Sequence, residues 1–248
     1  MVRPKLLPCT STMIASADGC RDGWIVAMAD GWPCSGPVRF LICSDFAGVR
    51  DVTADCVATT IDIPIGLPSG SEYREADVLA RGHLKETGSA SSVFFTPPRS
   101  TLVAETPGKF QELHRQATGR GAGLPVWGIA PKIRDVNAVM EKDTSLQERI
   151  YEFHPELAWR RLCGTSLDSK LSALGALQRL QVLNEHCPGW LSNPLDPVLK
   201  SRGVCLDDVL DAVVGISVAQ NIADGHGCRL PDGEPPRDEC GLQMVIWY

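Results

Sequence analysis

No stretch of this sequence is apolar for long enough to cross a membrane as a helix. Residues 1 to 10 carry Arg3 and Lys5 but no apolar run of signal-peptide length, and Pro8 interrupts what there is. The ten cysteines are scattered singly, with no C-x-x-C pair. His186 beside Cys187 and His226 near Cys228 are the closest His/Cys neighbours, and neither has structural-zinc spacing. These absences exclude a membrane-spanning helix, a zinc ribbon and a disulfide scaffold, so the expectation is a cytoplasmic protein with reduced, mostly buried thiols. No Pro/Gly linker and no internal repeat divides the chain either, and residues 1–248 are expected to form one domain.

An excess of positive charge is also missing. At a net charge of −6 the protein is no bulk binder of nucleic acid. The charge is uneven, however. Residues 88–134 hold six cations (Arg99, Lys109, Arg115, Arg120, Lys132, Arg134) against Glu105 and Glu112, a local excess that suits phosphate or, equally, an ordinary solvated loop.

What is present reads as α/β. Residues 12–17, 24–29 and 38–43 are apolar runs, the first two closed by Asp-Gly turn signals, with no helical periodicity between them: an antiparallel meander. After a short helical stretch at 45–52, residues 56–63 form a β-branched run stopped by Pro64 and Gly66, the pattern of a buried strand. Helical patterns follow, one with Tyr73, Ala76, Ala80 and Leu84 on one face and Ser71 as its cap, others at 109–118 and 129–140. Residues 69–145 are read as a helical and loop insertion. Residues 151–154 form another strand. Leu167, Leu171, Leu174, Leu177 and Leu180 repeat at helical spacing and are expected in the core, with Ser166 or Asp168 as cap. A last helix spans about 207–223, and residues 242–248 suit a terminal strand. A mixed central sheet covered on both faces accommodates this order.

Five acids stand out. Asp18 and Asp62 each end an apolar strand, and if those strands are parallel neighbours both carboxylates emerge at one sheet edge, where sites in open α/β sheets lie. Glu152 is an acid on a strand. Asp208 and Asp211 share one face of a helix that is otherwise apolar. Two carboxylates about 4 Å apart repel by about 4 kcal/mol at an effective dielectric near ~20, so converging acids take up protons or bind a cation. Hard oxygen donors favour Mg2+ or Mn2+, and a pair of such ions is suited to phosphodiester hydrolysis. Each acid singly also fits a turn, a surface strand or a helix start.

Asp18-Gly19-Cys20-Arg21 with Gly23-Trp24, Ile61 to Pro68 (IDIPIGLP), Ser91-Ser92-Val93-Phe94, Pro131-Lys132-Ile133, Glu152 to Glu156 (EFHPE), Ser169-Lys170, Asp207-Asp208 with Leu210-Asp211-Ala212, and Gly241-Leu242 together resemble domain-of-unknown-function family 429, a family of predicted ribonuclease H-like nucleases. The resemblance spans nearly the whole chain. It implies a ribonuclease H-like sheet, an antiparallel meander plus parallel strands flanked by helices, whose first and fourth strands supply Asp18 and Asp62 and whose late helix supplies Asp208 or Asp211. Arg74, Asp77 and Arg81 match the family pattern too, although a helical ion-pair ladder has the same spacing. Leu124-Pro125-Val126, in an expected loop, and Leu171 after Lys170 depart from it.

The expected function is therefore a metal-dependent nuclease: Asp18, Asp62, Glu152 and Asp211 catalytic and, with Asp208, metal-binding; Arg21, Arg99, Lys132, Lys170 and His154 toward substrate; nucleic acid as partner. Two other functions remain open: a binding module of the same fold, using Phe94-Phe95 and Trp127, and a phosphotransferase of the actin-like or sugar-kinase type, which needs two copies of the fold.

Overall fold

The computed structural model describes residues 12–34, 36–86, 88–191 and 196–248. Residues 1 to 10, read above against a signal peptide, lie outside them.

The meander is present: β1 (Met13–Cys20) pairs antiparallel with β2 (Gly23–Asp30), and β2 with β3 (Arg39–Cys43). Strand β1 does not stop at Asp18-Gly19. It continues to Cys20, and the chain reverses at Arg21-Asp22. Gly23 explains the shift: its φ is 137°, and a Cβ there would lie 2.1 Å from the Cys43 carbonyl oxygen. The glycine that the turn requires is Gly23, so Asp18 is a strand residue.

Asp45 caps α1 (Phe46–Val52) by accepting from the Gly48 amide at 2.8 Å. Strand β4 (Ala58–Ile61) then lies parallel to β1, and β5 (Ile150–Glu152) parallel to β4, giving the order β3-β2-β1-β4-β5. This is the mixed α/β sheet that the residues and the resemblance imply.

Between β4 and β5 run α2 (Glu75–Lys85), α3 (Pro107–Thr118) and α4 (Leu124–Met140). Helix α4 starts earlier than the pattern suggested. Pro125 lies in its first turn, where a missing amide costs little, and Val126 is buried, so Leu124-Pro125-Val126 belongs to a helix and not to a loop. After β5 come α5 (Pro155–Cys163), α6 (Ala173–His186) and α7 (Leu206–Ala223), then a two-stranded ribbon of β6 (Arg229–Leu230) and β7 (Ile246–Trp247).

Alternation along the strands divides the core. Ala15, Ala17, Val26, Ile61 and Ile150 face α1 and α4, while Ile14, Ile25, Ala27 and Phe153 face α5, α6 and α7. Helix α7 lies close on β1 and β4 because of Gly215, where a Cβ would come within 2.0 Å of Ser16 Oγ and 2.6 Å of Phe153 Cζ. The Thr60 hydroxyl donates to the Gly215 carbonyl at 2.9 Å. This contact sets Asp211, one turn earlier, over the ends of the two strands.

Helix α6 corrects the leucine reading. Leu171, Leu174 and Leu177 are exposed (87%, 57% and 62%), and Leu167 and Leu180 are only partly buried. The buried face is Gly175, Arg179 and Leu183, and the cap is Ser172, not Ser166 or Asp168. Two contacts turn the helix this way. Gly175 lies against the backbone of Asp168 and Ser169, and buried Arg179 donates to Glu156 at 2.7 Å and to the Asp168 carbonyl at 2.8 Å. An ion pair in the helix interface has displaced the leucine stripe.

No helix among the described residues is long and apolar enough to cross a membrane. The described cysteines are all free thiols; Cys20, Cys34, Cys43, Cys56 and Cys187 are buried, whereas Cys205 and Cys228 are exposed.

Candidate functional site

Ala17 and Ile61 are register partners across β1 and β4, so Asp18 and Asp62 follow them side by side, and the Asp62 amide donates to the Ala17 carbonyl at 3.2 Å. Strand alternation sends Ser16 and Asp18, and likewise Thr60 and Asp62, toward α7. Asp211 meets them from that helix, with Asp208 one turn further out.

The electrostatics record the convergence. Burial holds the Asp18 carboxyl well above the usual range, and repulsion from Asp62, Asp211 and Asp208 adds to it. Asp62 is pushed up to about 8, by burial first and then by Asp211 and Glu152. Asp208 is raised by burial. Much of the oxygen capacity is unused: Asp18 accepts from its neighbouring Gly19 amide at 2.8 Å, and the Asp62 carboxylate accepts no hydrogen bond within the described residues.

Asp211, 1% exposed, is fully engaged: Trp159 Nε1 donates to Oδ1 at 3.1 Å and Lys170 Nζ to Oδ2 at 2.6 Å. Lys170 also stands 3.6 Å from Asp207. Burial works against the Lys170 charge, but attraction to Asp211, Asp18 and Asp62 outweighs it and the ammonium is stabilised. One oxygen of Asp208 accepts from the Cys205 amide at 2.8 Å, so this acid also serves the start of α7.

Glu152 is placed differently. It shares the strand face of Ile61, and Arg74 grips both its oxygens, Nη2 to Oε1 at 2.6 Å and Nη1 to Oε2 at 2.9 Å, while the Ile65 amide adds a third bond at 2.7 Å. Burial pushes Glu152 up to about 7 against the pull of Arg74. Arg74 binds Asp77 as well, at 2.5 Å, and both side chains are 1% exposed. The first rung of the helical ion-pair ladder, Arg74 with Asp77, is present but buried, where it forms a triad with Glu152, and Arg81 does not extend it but turns away to the Val93 carbonyl. The sequence carried a signal for this, since Asp77 falls on the same helical face as Ala76, Ala80 and Leu84.

Of the expected substrate residues, Lys170 and His154 lie at the site. His154 lines a cavity beside Asp62, and burial lowers its imidazole to about 4. Lys132 is next to Asp18: its chain lies over Gly19, and its ammonium donates to the Gly23 carbonyl, 4.7 Å above the Trp24 ring. Arg21 is at the exposed hairpin tip. Arg99 pairs with Glu141, Asp238 and Glu239 and donates to Asn137, none of them in the acidic cluster. The basic segment is largely committed internally, for Lys109 pairs with Glu112 and Arg134 donates to the Leu102 and Ala104 carbonyls.

The donor set has the chemistry of a hard divalent ion's ligands: carboxylate oxygens from β1, the end of β4 and α7, with Asp18 and Asp62 raised by burial first and by their acidic neighbours second. Among the described residues no three acid, His or Cys side chains stand as a preformed metal cage. Lys170 supplies the counter-charge instead. The residues thus fit such an ion in chemistry and in unused oxygens, with Asp18 and Asp62 the freest to hold it.

A family model described as "Protein of unknown function (DUF429)" matches residues 17–235. The chain belongs to the DUF429 family. Neither the curated proteins nor the solved structures give a match. The DUF429 span takes in all five acids, the Arg74 triad, Lys132, His154 and Lys170, and ends before β7.

Proposed function

We propose that this DUF429 protein is a metal-dependent phosphodiester hydrolase, a nuclease of ribonuclease H-like architecture acting on nucleic acid. The observation that carries the reading is the meeting of Asp18, Asp62 and Asp211 on one face of the sheet, with the first two held protonated-prone by burial and mutual repulsion. Asp18 and Asp62 would hold Mg2+ or Mn2+, with Asp211 and Asp208 completing the anionic wall. When bound, such an ion supplies Lewis-acid charge to the phosphodiester and to an attacking water. Trp159 and Lys170 fix the Asp211 carboxylate, and Arg74 with the Ile65 amide fixes the Glu152 carboxyl group.

The strand order β3-β2-β1-β4-β5 supports the architecture. A two-lobed phosphotransferase draws no support from the single five-stranded sheet among the described residues. Free thiols go with a reducing, cytoplasmic setting.

The test is hydrolysis of single-stranded, duplex and branched nucleic acid with Mn2+ or Mg2+. Wild type should cleave at least one of them and Asp62→Asn should fall to background. Equal, background-level products from both proteins would end the proposal.

A further inference from the structure

Beside Asp62 the sheet edge opens into a cavity of about 100 Å³. Its floor is the Arg74, Asp77 and Glu152 triad, and the floor is saturated. The Arg74 nitrogens all bond to Asp77, Glu152 and the Ile65 and Gly66 carbonyls, and the second Asp77 oxygen accepts from the Thr96 amide at 2.8 Å. An anion would find no free donor there. The walls include Pro64, Phe94 and Ile129 and are apolar, with Phe94 37% exposed.

One lining residue is different. Among the described residues lining the cavity, His154 alone keeps a buried side-chain nitrogen or oxygen without a partner, its Nδ1. His154 Nε2 faces the Ser92 carbonyl at 3.4 Å, so Nε2 carries the hydrogen and Nδ1 keeps a lone pair. A buried acceptor of this kind calls for an N–H or O–H donor.

Size narrows the occupant. At about 100 Å³ the space is well below the ~300–1,000 Å³ of sites that enclose a whole small molecule. It suits one flat group of a larger ligand. Directly after Phe94, Phe95 stacks on Tyr73 at 3.7 Å, with the Arg81 guanidinium 4.8 Å over one ring and that of Arg120 5.0 Å over the other. Tyr73 is 38% exposed and Phe95 half-buried, and cations interleaved with partly exposed rings are what a single strand tracks along.

We infer that the cavity receives one unpaired nucleobase of a single-stranded segment whose backbone passes Asp62. His154 Nδ1 accepts a hydrogen bond from a base N–H, Phe94 covers the mouth, and the Arg81, Phe95, Tyr73, Arg120 stack guides the strand onward. This rests on the hydrolase reading and deepens it by naming the form of substrate. Every base carries an N–H donor, so the cavity distinguishes a base from no base and unpaired from paired, not one sequence from another. It also gives Ser91 to Phe94 a role, a motif the acids leave unexplained.

The experiment is fluorescence anisotropy in Ca2+ with a short labelled single strand, the same strand with one abasic position walked along it, and the matching duplex, followed by cleavage of each in Mn2+. Wild type should bind the single strand about tenfold tighter than the duplex, and one abasic position should weaken binding about tenfold. Ile129→Trp, which fills the cavity, and His154→Phe, which removes the acceptor, should each abolish the abasic penalty while circular dichroism stays unchanged. If every abasic strand binds and is cleaved like the intact one, the cavity proposal is overturned and the hydrolase reading stands. If wild type binds no strand and cleaves none, both are lost.

Discussion

At Lys170 a single ammonium counters several carboxylates, and the consequences of removing it follow from burial. Lys170→Met leaves the Asp211 carboxyl group, 1% exposed, without its ion-pair partner. Breaking a fully buried pair costs ~3–5 kcal/mol; with Lys170 itself 37% exposed, about 2 kcal/mol is expected by urea denaturation. Adding Asp211→Asn should restore most of it. The pH dependence has a definite sign. Asp18 and Asp62 have folded pKa values above the ordinary 3.8, so the fold holds protons that the unfolded chain has released. Without divalent ions, stability therefore falls as pH rises from about 4 through about 8, and Asp62→Asn should flatten that fall when urea midpoints are compared at about pH 5 and about pH 8. Asp18 and Asp62 were legible because each ends an apolar run, where an acid needs a reason. The Arg74 triad was not, because three-residue spacing in a helix looks the same on a surface and in a core until the neighbouring strand is in place. Arg99 misled for a related reason: a cation count cannot see Asp238 or Glu141, which are distant in sequence.

Helices and strands were recovered where one period dominates. Strand β4 and helix α7 stand close to where their patterns put them, while α2 keeps Ala76, Ala80 and Leu84 on its buried face but starts at Glu75, with Arg74 and not Ser71 in the cap position and Tyr73 outside it. Helix α6 did not follow its leucines, since Arg179 and Glu156 pair in the interface and Gly175 admits the preceding loop. Two substitutions check that orientation. Leu177→Gln should change stability by no more than ~0.5 kcal/mol, and Leu183→Ala should cost ~2–5 kcal/mol, both by chemical denaturation. The reverse ranking would mean that the leucine stripe faces the core after all. The hairpin of β1 and β2 teaches the same lesson: Asp18-Gly19 has the sequence of a turn, yet the contact of Gly23 with Cys43 decides where the chain reverses.

At the scale of the molecule, the mixed sheet was legible as three consecutive runs without intervening helix, while the placing of β4 beside β1 came from the resemblance. That placing is what brings Asp18 and Asp62 together, and no local pattern states it. A site assembled from two strands and a late helix couples its occupancy to the whole fold. Mn2+ at about a hundred times its Kd should add ~2.7 kcal/mol, which for a chain of this size raises the Tm by ~5–10 °C, and Asp62→Asn should lose that gain. A calorimetric scan with and without the ion reads it directly.

The indole of Trp159, 3.1 Å from Asp211 and 1% exposed, has a practical meaning. Its excited state is sensitive to the charge on the oxygen it touches, so on the proposed reading the difference in emission between wild type and Trp159→Phe, which removes one of six tryptophans, would be an unlabelled optical gauge of a divalent ion entering the cluster. A titration followed in a fluorimeter can report on the site before any substrate is in hand.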